Sequence, residues 1–192
     1  MFRRNLLAAA LALLAAPVLA QTTAPQGSPV LEIDVAGEAN GTIRIALRPD
    51  LAPLHVARVI ELAESGAYDN VVFHRVIEGF MAQTGDVEFG KHGGDTARAG
   101  MGGSSMPDLP AEFNDVSFQA GTVGMARSQD PDSANSQFFI DLAPATFLDG
   151  QYTVVGQLVH GWEVLNAIKK GDPAANGAVV EPDHMLKVTV EE

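Results

Sequence analysis

Arg75 is the residue of this chain whose chemistry most needs an explanation, because it lies in a largely apolar run from 71 to 77. If this run is one extended strand, alternation places Arg75 on the same face as Phe73. A guanidinium does not lose its proton, so among apolar side chains it must find a partner, reach water or serve a function that offsets its desolvation. One explanation is a salt bridge to Glu78 or Asp86. The other is a binding site that uses a fixed hydrogen-bond donor.

Three clusters of residues could line such a site. Phe80, Met81 and Gln83 follow Arg75 closely. The segments "NSQFFIDLAP" and "FLDGQY" contribute the remaining members, which are Gln137, Phe138, Phe139, Phe147, Leu148 and Tyr152. For each aromatic residue alone, packing in the core is the simpler explanation. Together with one arginine and two glutamines, they match an apolar pocket with a few aimed polar groups.

Other kinds of chemistry find less support in the sequence. The five histidines are scattered without metal-ligand spacing, so we predict no metal site. His74 and Asp86 could join Ser128 or Ser136 in a hydrolytic triad, but a hydrogen-bonded His74 within a packed strand is the simpler interpretation. The glycine-rich segment 90–105 lacks the phosphate-binding patterns and is interpreted as a surface loop, which could rim a groove.

The elements that must position these residues are mainly strands. Residues 30–47 form two alternating apolar runs around a Gly/Asn turn, which is typical of a β-hairpin. Helical periodicity marks 53–65, with Pro53 near its start and Gly66 just past its end. Further strand-like runs lie at 71–77, 121–126, 137–141, 152–159 and 185–190, and a second short helix is predicted from Trp162 to Gly171.

The turns and the small helix content decide the predicted fold class. "LDGQ" at 148–151 favours a type I′ hairpin turn, because Asp-Gly readily takes positive φ values. Few long helices separate the strands, which disfavours a parallel doubly wound sheet. We predict one domain built as an antiparallel barrel or sandwich capped by two helices.

Composition fits a single acidic domain. The chain has 192 residues, of which 46% are hydrophobic and 19% charged, and its formal net charge is −12. This charge argues against broad binding to nucleic acid or to anionic membranes, which need clustered lysine and arginine. The absence of cysteine excludes disulfides and thiolate chemistry.

The N-terminus has the order of a secretory signal peptide. Residues 1–20 carry two arginines, an unbroken Leu/Ala run and a small-residue ending. A membrane anchor is the alternative, but the apolar run is shorter than the ~20 residues that span a bilayer. We therefore expect cleavage after Ala20, a flexible leader over 21–29, the functional domain over 30–192, and no stable membrane anchor.

Four segments, taken in order, resemble successive parts of the cyclophilins, the peptidyl-prolyl cis-trans isomerases. They are "VVFHRVIEGFMAQTGD", "EFNDVSFQAGTVGMAR", "NSQFFIDLAP" and "FLDGQYTVVGQLVHGWEVLNAI". The resemblance extends from about residue 30 to 190. It implies a mainly β fold, a closed eight-stranded antiparallel barrel capped by two α-helices. It also implies isomerisation of X-Pro bonds without metal, nucleotide or redox cofactor.

The resemblance also assigns roles to residues. Arg75 matches the catalytic arginine, and Gln83 is its neighbour in the groove. The residues expected to bind substrate are Phe80, Met81, Ala126, Arg127, Gln137, Phe139, Phe147, Leu148 and Tyr152. At Arg127 only the main chain is carried over, since eukaryotic relatives usually have Asn there.

Three departures from the eukaryotic pattern resemble the bacterial branch of the family. Phe147 replaces the tryptophan that contacts cyclosporin, so we expect weak inhibition by that drug. Tyr152 replaces a groove histidine, and Glu78 replaces a frequent proline. With the signal peptide, these features favour a periplasmic location, and we separately expect a monomer.

We expect this monomer to act on proline-containing peptides and on unfolded or newly exported proteins. An alternative is a secreted peptide-binding chaperone module with incidental isomerase activity. A domain with a vestigial groove is a third possibility.

Overall fold

The computed structural model describes residues 26–191, so the predicted signal peptide and residues 21–25 of the leader lie outside the described residues. Within them are nine strands, two α-helices and two short 3₁₀ helices, Thr146–Leu148 and Pro173–Ala175. The strands are β1 Val30–Ala36, β2 Gly41–Leu47, β3 Val71–Val72, β4 Arg75–Ile77, β5 Met81–Thr84, β6 Thr122–Met125, β7 Phe138–Asp141, β8 Val154–His160 and β9 His184–Glu191. The helices are α1 Pro53–Glu64 and α2 Trp162–Ala167.

The strands form one curled antiparallel sheet in the order β3-β9-β1-β2-β8-β6-β7-β5-β4. The predicted N-terminal hairpin is confirmed, since β1 and β2 pair from Val30↔Ala46 to Val35↔Gly41. Alternation buries Leu31 along β1 and leaves Asp34 exposed. The mainly β, helix-capped prediction therefore holds.

The predicted closed eight-stranded barrel is corrected to this nine-stranded sheet. The expected single strand 71–77 is divided, because its first part pairs with β9 and its last part with β5. Between them, the Phe73 N–H donates to Asp183 O at 2.8 Å, and His74 O accepts from Val179 N–H at 3.1 Å. These bonds to the chain before β9 interrupt the ladder between β3 and β4. The two edge strands of the sheet, β3 and β4, are therefore consecutive in the chain and separated only by residues 73 and 74.

α1 begins and ends where the sequence indicates. Pro53 occupies the first turn, and Gly66 lies just past the end with φ +72°. The Glu112 carboxylate, from a distant loop, accepts from the N–H groups of Leu54 and His55 at 3.0–3.2 Å. This carboxylate satisfies first-turn donors that have no partner within the helix.

α2 is shorter than the predicted helix, which was expected to end at Gly171. Its last residue is Ala167, because Ile168 takes an extended backbone with ψ 131°. The next N–H, of Lys169, then donates to the buried Asp183 carboxylate at 2.8 Å. A tertiary hydrogen bond therefore competes with the last helical turn.

The "LDGQ" segment does not form a type I′ hairpin. Asp149 has φ −55° and ψ 131°, and only Gly150 has a positive φ, +67°, as in a type II turn. The strands on either side, β7 and β8, are not neighbours, because β6 lies between them. The turn therefore reverses the chain without joining a strand pair.

Alternation along β7 divides the apolar side chains into two clusters. Phe138 and Ile140 join the main core, which also contains residues from β1, β2, β8, β9 and α1. Phe139, on the opposite face, joins a smaller cluster of Met81, Phe118, Ala145, Leu148 and Val154. Within residues 26–191, neither helix is long and apolar enough to cross a membrane.

Candidate active site

Arg75 lies on β4 with its guanidinium half-buried, and burial lowers its pKa. Nη1 donates to Gln83 Oε1 at 3.2 Å and lies 3.7 Å from Met81 Sδ. Nε and Nη2 donate to the main-chain and side-chain oxygens of Asn176 at 3.0 and 3.1 Å. The oxygens that accept hydrogen bonds from the charged guanidinium are therefore all neutral.

The alternative of a salt bridge from Arg75 to Glu78 or Asp86 is wrong. The Asp86 carboxylate instead accepts main-chain N–H groups, including those of Gly100 and Gly102 at 2.7 and 2.9 Å. No ion pair of Arg75 occurs within residues 26–191. Its charge is left available for other chemistry.

Strand register places Arg75, Gln83 and Phe139 side by side across three strands. Arg75 pairs with Gln83, and Gln83 pairs with Phe139. Gln83 Nε2 then donates to Gln137 Oε1 at 3.0 Å, and Gln137 Nε2 donates to Gly102 O at 2.8 Å. This amide chain fixes the Gln83 oxygen that accepts from Arg75.

A small pocket of about 130 Å³ opens beside the Arg75 guanidinium. Its lining consists of Arg75, Phe80, Met81, Gln83, Ala126, Arg127, Phe139, Leu148 and Tyr152. All of these belong to the predicted set. The remaining two lie at its margin: Gln137 bonds Gln83, and the exposed Phe147 packs on Phe80 with ring centroids 5.4 Å apart.

Phe139 forms the apolar floor of this small pocket. Its ring stacks on Phe118 at 5.8 Å and meets the edge of Tyr152 at 5.9 Å. Gly124 lies opposite Phe139 on β6, and a Cβ there would come within 2.5 Å of Phe139 Cζ. A glycine at 124 therefore allows the ring to lie against the sheet.

Ala126 and Arg127 form another part of the lining of the small pocket. The Ala126 N–H donates to Gln137 O at 2.9 Å. The Arg127 guanidinium stacks over Tyr152, 4.4 Å from the ring centroid, and donates to Gln151 O at 2.8 Å. The resemblance predicted a role for the main chain of Arg127, and its side chain also links this segment to the loop of Gln151 and Tyr152.

A second, larger pocket of about 590 Å³ adjoins the first and shares Gln83, Ala126 and Arg127 with it. Residues 100–104 form one side, so part of the predicted glycine-rich loop does rim the groove. The exposed carboxylates of Glu88 and Asp108 also line it. Polar groups and main chain therefore dominate this second pocket.

Asp141 is a buried carboxyl behind the small pocket. It is fully buried, and neither carboxylate oxygen has a hydrogen-bond partner within residues 26–191. It lies two residues after Phe139 and opposite Met81, and therefore on the same face of the sheet. Burial, with a smaller contribution from Asp149, raises the pKa of Asp141 to about 8.

The hydrolytic triad is not formed. His74 is buried as expected, but it lies between β3 and β4, and its ring nitrogens have no hydrogen-bond partner among the described residues. Burial lowers the pKa of His74 to about 4. Ser136 Oγ donates to Gly85 O instead. Residues 26–191 also contain no cluster of histidine or carboxylate side chains suited to a metal ion.

The fold and the two adjoining pockets together define a β-sheet domain with a binding site that has an apolar floor and an arginine at its wall. The sequence profile of the family described as "Cyclophilin type peptidyl-prolyl cis-trans isomerase/CLD" matches residues 30–190. A probable peptidyl-prolyl cis-trans isomerase of Brucella suis is 53% identical, over 99% of this chain and 97% of that protein. Peptidyl-prolyl cis-trans isomerase A of Dickeya dadantii is 37% identical, over 68% and 67%.

Solved structures show the same fold. A Cryptosporidium parvum cyclophilin, determined in the presence of the dipeptide Ala-Pro, has a TM-score of 0.71 and 24% identity, covering 85% of this chain and 99% of that one. A Hirschia baltica cyclophilin has a TM-score of 0.67 and 23% identity, covering 83% and 73%. The chain belongs to the cyclophilin family, and it is a peptidyl-prolyl cis-trans isomerase.

Proposed function

We propose that the small pocket binds the proline ring of X-Pro peptides and that Arg75 is the catalytic donor. The observation that carries this proposal is the half-buried guanidinium at the wall of a pocket with an apolar floor, held by the neutral Gln83 and Asn176. The structural neighbour determined in the presence of Ala-Pro supports proline-containing peptides as ligands.

The chemistry requires no covalent step. Amide resonance opposes rotation about the X-Pro bond with a barrier of ~18–20 kcal/mol, and the uncatalysed reaction takes ~10–100 s. In the twisted state the proline nitrogen regains a lone pair, which an N–H of Arg75 can stabilise. Phe80, Met81 and Phe139 hold the ring in a partly dry site, where such a hydrogen bond is stronger than in water. The donor therefore favours the transition state over either planar isomer.

The test is a protease-coupled isomerisation assay that compares the wild-type chain with Arg75→Ala. Removing a donor to a transition state costs about 10²–10³-fold in kcat. We expect a loss of this size, with X-Pro peptide binding largely kept. The matched control is Arg98→Ala, because Arg98 stacks on Phe89 outside both pockets.

Equal activity of Arg75→Ala and wild type would remove Arg75 from the mechanism. Peptide binding without turnover in the wild type would favour the alternative, a peptide-binding chaperone module. We expect a monomer in both cases, which light scattering measures.

The proposal extends to the folding of exported proteins in the periplasm. It rests on the order of charged, apolar and small residues in 1–20. N-terminal sequencing of the periplasmic protein should begin at Gln21. A protein that keeps Met1 and stays with the membrane or cytoplasm would contradict this location.

A further inference from the structure

Asn176 accepts two of the three hydrogen bonds that the Arg75 side chain donates to oxygen. Its main-chain oxygen accepts from Nε at 3.0 Å, and its Oδ1 accepts from Nη2 at 3.1 Å. Gln83 Oε1 holds the remaining nitrogen, Nη1, at 3.2 Å. A planar guanidinium that is held at all three nitrogens cannot rotate without breaking a bond.

These contacts leave two of the five N–H groups of Arg75 unbound by oxygen, one on Nη1 and one on Nη2. Nη1 is also the nitrogen nearest Met81 Sδ, at 3.7 Å, and Met81 lines the small pocket. Nη1 donates to this sulfur, which is a weak acceptor, so the Nη1–H that no oxygen binds lies on the side of the pocket. Asn176 and Gln83 together direct this donor.

The loop that carries Asn176, residues 171–178, is fastened to the strand of Arg75 itself. Val76 O accepts from Gly171 N–H at 2.9 Å, and Val76 N–H donates to Gly177 O at 2.8 Å. Gly177 is buried, and a Cβ at this position would collide with Ile77. The loop and β4 are thus one rigid unit around the guanidinium.

The backbone at 176 suits asparagine. Its φ of 55° and ψ of 34° lie in the left-handed region, which asparagine tolerates better than most residues. Resting on the proposed role of Arg75, we propose that Asn176 is a positioning residue, which holds the guanidinium so that the N–H bonded only to the weak acceptor Met81 Sδ can turn to the X-Pro bond.

Asn176→Gly tests this role, because glycine keeps the left-handed backbone and the main-chain acceptor and removes only Oδ1. We expect kcat to fall about tenfold, as for one lost hydrogen bond to a charged group, with KM little changed. Asn176→Asp keeps the side-chain acceptor and should restore most of kcat. Asn70→Gly is the matched control, since Asn70 is also left-handed, with φ 61°, and lies outside both pockets.

The Arg75→Ala background separates this inference from the proposed function. If Asn176 acts through Arg75, Asn176→Gly should cause no further loss there. An equal loss in both backgrounds, or wild-type kcat in Asn176→Gly, would overturn the positioning role while Arg75 keeps its own. If Arg75→Ala is fully active, the proposed role of Arg75 is contradicted, and the positioning role of Asn176 is contradicted with it. Urea midpoints close to wild type would show that changes in kcat do not come from unfolding.

Discussion

The two adjoining pockets differ in how far their charged groups are buried. The small pocket has an apolar floor, the half-buried Arg75 at its wall and the buried carboxyl of Asp141 behind it. The larger pocket is lined by main chain, by polar side chains and by the exposed carboxylates of Glu88 and Asp108. Gln83 belongs to both.

This difference shows where a charge becomes chemically effective. Burial shifts the pKa of Arg75 at the wall of the small pocket and of Asp141 next to its lining, and desolvation strengthens any hydrogen bond made there. Water screens the carboxylates of the larger pocket, so their influence on a ligand is weak and depends on salt. Under the proposed role of Arg75, we therefore expect catalysis in the small pocket and only a weak, salt-dependent selection of substrates by the larger one.

The largest expected effect concerns the buried carboxyl. The pKa of Asp141 is about 8 in the folded protein and 3.8 in the unfolded chain, so its contribution to stability is fully present below pH 3.8 and is lost as the pH rises through 8. The asparagine of Asp141→Asn does not titrate, so the variant should not show this loss. The free energy of unfolding of Asp141→Asn minus that of the wild type should therefore be about 4 kcal/mol larger at pH 7 than below pH 3.8. Urea unfolding between pH 3 and 9 measures the change.

The control is Asp115→Asn, which neutralises an exposed carboxylate and should leave the pH profile unchanged. His74 titrates in both proteins, so its contribution cancels in the difference. Parallel profiles for wild type and Asp141→Asn would mean that the carboxyl is ionised in the folded protein at neutral pH.

The next effect concerns Gln83, one of the three residues that the two pockets share. Gln83→Leu removes an acceptor from Arg75 and the donor to Gln137. A hydrogen bond to a charged group is worth about 1.5–3 kcal/mol, so kcat/KM should fall about 10–100-fold. The isomerisation assay measures this loss.

Gln119→Leu, an exposed site outside both pockets, serves as the control. If Gln83→Leu weakened peptide binding alone and left kcat intact, Gln83 would belong to the selecting pocket rather than to the catalytic one.

The smallest effect should come from the larger pocket. Its carboxylates favour cationic ligands, so an X-Pro peptide with Lys in its flanking residues should be turned over a few-fold faster than one with Glu, and high salt should remove the difference. Glu88→Gln combined with Asp108→Asn should bring the ratio close to one. Paired assays at low and high salt measure it.

Glu61→Gln with Glu64→Gln changes net charge equally on the exposed face of α1 and should leave the ratio unchanged. The same loss of preference in both double variants would mean that net charge, and not the larger pocket, selects the peptide.

Much of the site could be predicted because its members lie in short, specific segments. Arg75, Met81 and Gln83 fall within one hairpin, so local spacing already brings them together. Asn176 could not be predicted, since it lies 101 residues from Arg75 in an exposed loop without a distinctive motif. Asp141 could not be predicted either, because its burial depends on how segments far apart in the chain pack against β7.

The errors in the fold have the same origin. The division of 71–77 into β3 and β4, the early end of α2 and the form of the turn at 148–151 all depend on distant backbone partners. Local patterns predict which residues are extended or helical, but they do not show which segment will supply the next hydrogen bond.

The sequence by itself determined the mainly β class, the N-terminal hairpin, α1 and the residues of the groove, because alternation, periodicity and short motifs are local properties. Only the tertiary structure decided the strand order, the three hydrogen bonds to oxygen that hold the Arg75 guanidinium, and the burial of the Asp141 carboxyl without a hydrogen-bond partner among residues 26–191. Each of these requires segments far apart in the chain to meet in one register, and the free energy that selects this register comes from burying both apolar clusters together.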